Sequence, residues 1–261
     1  MTDHLQGKTA LITGASSGLG ADFARQLAER GCDLILTARR GDRLDALREE
    51  ISKQHDVRIE CLPMDLLEAD APQRLFGQLK EAGQTVDILI NNAGLGVYGE
   101  FKDTPWQRLH QMLEVDVVAL THLTRLFVPD MVRRDSGYIL LIGSTGSFQP
   151  TPTYAVYAAA KSYVLSFGEA LHYELRKTNV KCTVLCPGVA RTEFLAVANQ
   201  KPTAYQRRTA MESAEVVRIG IKALLKGRSC VVAGNTNALF AWLTRLLPRQ
   251  TLAAAANQFM H

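Results

Sequence analysis

Short apolar runs of strand length recur along this chain, each separated from the next by a segment of helical period. That alternation constrains the fold more than any other feature. Strands are expected over 9–13, 33–37, 58–62, 86–91, 137–142, 181–186 and 229–233, and helices over 19–30, 42–55, 69–82, 105–133, 153–178 and 213–226. Repeated strand–helix–strand units require crossover connections. Strands that are apolar on both faces require cover on both faces. The expected architecture is α/β: a doubly wound, seven-stranded parallel sheet with helices on each side, within one domain that 261 residues suit. Such sheets bind ligands beyond the carboxyl ends of their strands, and Gly14, Asp65, Asn91, Ser144 and Pro187 all fall at or just after strand ends.

Two constellations carry chemistry. The first is the strand-to-helix turn Thr13-Gly-Ala-Ser-Ser-Gly-Leu-Gly20. A turn of this kind presents unpaired amides and the positive end of a helix dipole to a phosphate, and glycine lets that phosphate approach the backbone. The second is Tyr157-Ala-Ala-Ala-Lys161 with Ser144 thirteen residues upstream. Positions i and i+4 share a helix face, so Lys161 stands one turn beyond Tyr157. A fixed cation favours the phenolate and is expected to bring the phenol toward physiological pH. Taken singly, Ser144 could cap a loop, Tyr157 could be a helix-face aromatic and Lys161 could be solvated.

Together with Asp65-Leu66, Asn91-Asn-Ala-Gly94 and Pro187-Gly188 followed by Thr192, these landmarks resemble the short-chain dehydrogenase/reductase family from about residue 8 to residue 232. The resemblance implies a Rossmann-like fold and hydride transfer between a nicotinamide and a carbonyl or alcohol carbon. It implies that Tyr157 is the proton donor, that Ser144 stabilises the reacting oxygen, and that Lys161 tunes the tyrosine and holds the nicotinamide ribose. Gly14, Ser16, Ser17, Gly18, Leu19 and Gly20 would form the phosphate turn. Asp65 and Leu66 would meet the adenine, although Asp65 reads equally as a helix cap. Asn92, Ala93 and Gly94 would lie along the cofactor, and Pro187, Gly188, Val189 and Thr192 would hold the nicotinamide.

The second strand ends in Ala38-Arg39-Arg40, with no acid to take the ribose hydroxyls of NAD. A guanidinium fork suits a 2′-phosphate, so NADP(H) is the expected cofactor; by the resemblance Arg39 selects it, and Arg40 assists or stacks on the adenine. Asp116 stands where the family carries an asparagine thought to position a water of the proton relay. It adds a charge and loses a donor. An NADP(H)-binding scaffold or sensor with impaired turnover is therefore weighed beside the enzyme. Residues 190–212 occupy the family's variable lid, and Phe148, Tyr154 and Phe194 are candidate pocket residues. The expected substrate is a lipophilic ketone or aldehyde, with a 3-oxoacyl thioester as rival.

A net charge of +4 and the short Arg39-Arg40-x-x-Arg43 cluster do not make a nucleic-acid footprint. Five cysteines without a C-x-x-C pair read as reduced core thiols, and six scattered histidines give no metal spacing. No signal peptide or spanning run is visible, so a cytoplasmic location is expected. Residues 1–234 read as the nucleotide-binding domain and 235–261 as an apolar helical extension. Leu239, Phe240, Trp242, Leu243, Leu246 and Leu247 form an apolar cluster there, with Pro248 breaking the helix. Such a cluster packs on the parent domain, on a partner subunit or at a membrane interface. A homodimer or homotetramer is the family's usual assembly.

Overall fold

The computed structural model describes residues 5–260. The first half of the chain alternates β1 (Thr9–Thr13), α1 (Gly18–Ala28), β2 (Asp33–Ala38), α2 (Gly41–Ser52), β3 (Ile59–Pro63), α3 (Ala71–Glu81) and β4 (Ile88–Asn91). It continues through α4 (Trp106–Leu113), a π-helical stretch at Glu114–Ala119, α5 (Leu120–Arg133), β5 (Gly137–Ile142), α6 (Ala155–Glu174) and β6 (Val180–Cys186). Short α7 (Phe194–Val197) and α8 (Ala204–Thr209) precede α9 (Ser213–Leu225), β7 (Cys230–Val232), α10 (Asn235–Leu243) and α11 (Arg249–Met260). The sheet order is β3-β2-β1-β4-β5-β6-β7, and every pairing is parallel. The expected seven-stranded doubly wound sheet is the one observed.

Strand residues alternate between two cores, as the two-residue period demands. Ala10, Ile12, Leu34, Leu36, Ile88 and Ile90 face α1, α2 and α9, burying Phe23, Leu27, Leu44 and Ile221. Leu11, Ile35, Leu89, Ile139, Leu141 and Val184 face α3, α5 and α6, burying Leu75, Leu123, Phe127 and Val164. The order reverses between β1 and β4, so the carboxyl ends of these two strands open a crevice at the topological switch point.

Three local features differ from expectation. The helix expected over 105–133 is interrupted by the π-helical stretch, which carries Asp116. The helix expected from residue 153 begins at Ala155, because Thr153 follows Pro152 with φ 65°, a left-handed conformation that helix cannot continue. At the C-terminus Pro248 directly precedes a second helix, where a residue without an amide proton is tolerated. The apolar cluster packs on the parent domain only in part: α10 lies against β7, and Leu243 is half-buried. Leu239, Phe240, Trp242, Leu246 and Leu247 stay exposed, and Ala241 is the buried residue of α10. The five cysteines are free thiols. Among the described residues no helix is long and apolar enough to cross a membrane, and no group of three metal-ligating side chains occurs.

Candidate active site

The β1–α1 turn is built from both sides of the switch point. The Thr13 hydroxyl accepts the backbone amides of Asn92 (3.0 Å) and Ala93 (2.9 Å), and the Asn92 amide group donates to the carbonyls of Thr13 (2.9 Å) and Gly14 (3.1 Å). Asn92 thus locks the turn to the end of β4. At Gly18 (φ 54°) a Cβ would meet the Thr192 methyl at 2.9 Å, so the segment after β6 rests directly on the turn. Gly20 does not line the cavity. A Cβ there would stand 2.2 Å from the Gly14 carbonyl oxygen, which makes Gly20 a packing glycine that lets α1 close on the turn. Gly20→Ala is therefore expected to lower stability by about 1–3 kcal/mol through overpacking, read as a fall in Tm, and to weaken dinucleotide binding in calorimetric titration.

A cavity of about 410 Å³ runs from this turn across the strand ends. Its lining brings together Gly14, Ser16, Ser17, Gly18, Leu19, Arg39, Arg40, Asp65, Leu66, Asn92, Ala93 and Gly94. Ser144, Tyr157, Lys161, Pro187, Gly188, Val189 and Thr192 line the same cavity, with Tyr154 and Phe194; Thr192 rests on Gly18, and Gly94 adjoins Lys161. Asp65 both lines the cavity and accepts the Leu67 amide at 3.0 Å, so its capping and lining readings hold together. Arg39 is exposed and makes no hydrogen bond or ion pair among the described residues, whereas Arg40 donates to the hydroxyls of Ser16 (3.1 Å) and Ser17 (3.0 Å). Phe148 is a correction: it packs against the core beneath α6 instead of lining the cavity.

Ser144 is fixed by a serine-rich turn. Its hydroxyl accepts the Gly146 amide (3.1 Å) and its amide donates to the Ser147 hydroxyl (3.1 Å). Ser147 in turn donates to the Lys161 carbonyl (2.8 Å), and Ser162 donates to the Ser147 carbonyl (2.9 Å). The Thr145 amide donates to the Pro187 carbonyl at 2.8 Å, so β5, α6 and β6 jointly hold this turn. Ser147 and Ser162 were missed from sequence. Their only signal is a run of hydroxyl residues around Ser144 and Lys161.

Lys161 is buried. Its ammonium donates to the Ile142 carbonyl at 3.1 Å and lies 3.0 Å from Asp116 Oδ2, as an ion pair that is not aligned as a hydrogen bond. Asp116 is fully buried, and its other oxygen accepts the Leu95 amide at 2.7 Å. Burial pushes the Asp116 carboxyl up against the opposing pull of Lys161. For Lys161 burial pushes down, but Asp116 and Tyr157 more than offset it and hold the ammonium above its usual value. Tyr157 lies between Tyr154 (5.5 Å) and Phe194 (5.4 Å), with Lys161 Nζ 5.7 Å from its ring centre. Here the expected downward shift is corrected. Burial raises the phenol above the ordinary tyrosine value, outweighing Lys161 and the Ser144 hydroxyl, and Asp116 adds to the rise. The protein on its own therefore holds Tyr157 as the protonated acid.

The fold and this rim define an oxidoreductase of the doubly wound α/β class. The chain belongs to the short-chain dehydrogenase family, whose sequence pattern, described as short chain dehydrogenase, matches residues 8–203. It is 31% identical over 251 residues to an uncharacterized oxidoreductase of Myxococcus xanthus, covering 96% of this chain and 97% of that one. It is 29% identical over 243 residues to a very-long-chain 3-oxoacyl-CoA reductase of Bos taurus, covering 91% and 77%. A short-chain dehydrogenase from Sphingobium yanoikuyae in complex with NADPH superposes with a TM-score of 0.81 at 31% identity, covering 92% and 94%.

A nicotinamide dinucleotide fits the residues present. The Gly14–Leu19 turn lines the cavity together with the guanidiniums of Arg39 and Arg40, with alanine instead of a carboxylate at position 38 and with Asp65 and Glu193 as the acids on that lining. Lys161 lines the same cavity, and Thr192 lines it where it rests on Gly18.

Proposed function

We propose that this protein is an NADP(H)-dependent reductase of lipophilic ketones or aldehydes. The observation that carries the reading is one continuous cavity lined both by Ser144, Tyr157 and Lys161 and by the glycine turn, Arg39 and Arg40. When bound, the cofactor supplies the hydride to the carbonyl carbon. The remaining work falls to the chain. Tyr157, protonated at neutral pH, donates its proton to the carbonyl oxygen, and the Ser144 hydroxyl stabilises the charge that develops there. Lys161 stabilises the phenolate left behind, while Asp116 keeps that ammonium charged in a buried setting. Arg39, the free guanidinium at the cavity mouth, takes the 2′-phosphate, and the NADPH held by the Sphingobium relative supports that choice. Leu95, Val115, Tyr154, Phe194, Leu195 and Val197 give the pocket its apolar character, and 190–212 serves as its lid. The kinship with a 3-oxoacyl-CoA reductase favours a 3-oxoacyl thioester as the second reading.

The test is NADPH oxidation, with NADH in parallel, across bulky ketones, aldehydes and 3-oxoacyl thioesters. Arg39→Ala is expected to lower kcat/KM for NADPH roughly 10- to 100-fold, the worth of a charged hydrogen-bond set, and to leave NADH nearly unchanged. Equal loss with both cofactors would remove Arg39 from the selecting role.

A further inference from the structure

Glu193, one residue beyond Thr192 in the lid, reaches back about 150 positions to the end of the second strand. Its two carboxylate oxygens are divided between two guanidiniums: Oε1 accepts from Arg43 Nη1 at 2.7 Å, and Oε2 accepts from Arg40 Nη1 at 3.0 Å. Arg40 at the same time holds the Ser16 and Ser17 hydroxyls of the glycine turn. One lid carboxylate therefore caps the basic end of the cavity, and Glu193 itself lines that cavity beside Arg39 and Arg40.

Resting on the NADP(H) reading, we infer that Glu193 tunes cofactor specificity as a counter-charge that competes with the cofactor's 2′-phosphate, held by Arg39, for the neighbouring Arg40, while Arg43 anchors the carboxylate from outside the cavity. A phosphate on Arg39 offers further acceptor oxygens to Arg40, which lines the cavity beside it. It must displace the carboxylate or bind against its charge. A dinucleotide without that phosphate contests nothing at this position. Both partners are close to half exposed, so the clasp is weak and screened by salt, as a reversible stand-in for a ligand must be. Arg43 and Arg40, in that order, hold the Glu193 carboxyl below the usual carboxylate range, so the counter-charge is present throughout the neutral range.

The test is calorimetric titration of wild type and Glu193→Gln with NADPH and with NADH. The amide keeps the shape of an exposed side chain and removes only its charge. NADPH affinity is expected to rise roughly three- to ten-fold in the variant, the scale of two exposed ion pairs, with NADH affinity unchanged. If wild type prefers NADPH but Glu193→Gln binds it no more tightly, the competition is overturned and the cofactor reading stands. An equal loss for both cofactors would make Glu193 a lid latch and also overturn it. If wild type binds NADH as tightly as NADPH, the cofactor reading falls first and the inference with it.

Discussion

Replacing Tyr157 with phenylalanine is expected to lower kcat by about 10²- to 10⁴-fold, the usual worth of a positioned general acid, while the dissociation constant for NADPH changes little. The asymmetry follows from where the hydroxyl sits. The ring is held by Tyr154 and Phe194, contacts that phenylalanine keeps. Only the proton and its hydrogen bonds are lost. Steady-state kinetics beside calorimetric titration separate the two effects. A variant that turns over at the wild-type rate would remove Tyr157 as the acid, and one that fails to bind NADPH would mean the ring, not its hydroxyl, had been disturbed.

The second large effect is expected at Asp116. Asp116→Ala leaves the Lys161 ammonium buried with no counter-charge and the Leu95 amide without its acceptor, and breaking such a buried pair costs about 3–5 kcal/mol. Urea unfolding of both proteins reads that difference directly. Asp116→Asn is milder, since its single carbonyl can satisfy one of the two donors. It also moves the pH profile in a defined direction. Asp116 raises the pKa of both Lys161 and Tyr157. Reduction needs Tyr157 protonated, so its rate falls as pH rises through that pKa. Removing the negative charge lowers the pKa and brings the alkaline fall of kcat/KM to lower pH. A profile that stays in place would show that Asp116 braces the site without tuning it.

Much of this was legible because it depends on local spacing. The short continuous apolar runs in Thr9–Thr13 and Ile88–Asn91 specify strands buried on both faces, and the glycines between Thr13 and Ala21 specify a turn that a phosphate can approach. The four-residue step from Tyr157 to Lys161 is likewise a property of one helix. What could not be read is what distant segments do to one another. The burial that raises Tyr157 depends on Tyr154 and Phe194 converging on it. Asp116 was suspected from the sequence, but its direct pairing with Lys161 depends on a π-helical stretch that no periodicity announces. Phe148 lies one residue from the Ser147 that clamps α6, yet it packs half-buried against the core, and no local spacing tells that side from the cavity. The Glu193 contacts join residues some 150 positions apart, and no local signal marks them.

The most direct measurement of the central claim follows the hydride itself. NADPH carrying deuterium at C4 of the nicotinamide would be mixed with the enzyme and a ketone or aldehyde substrate, and the product analysed by mass spectrometry. The account predicts an alcohol with one deuterium on the former carbonyl carbon, formed faster with NADPH than with NADH and nearly absent with Tyr157→Phe. No labelled alcohol from any ketone, aldehyde or 3-oxoacyl thioester, in a protein that still binds NADPH tightly, would contradict it.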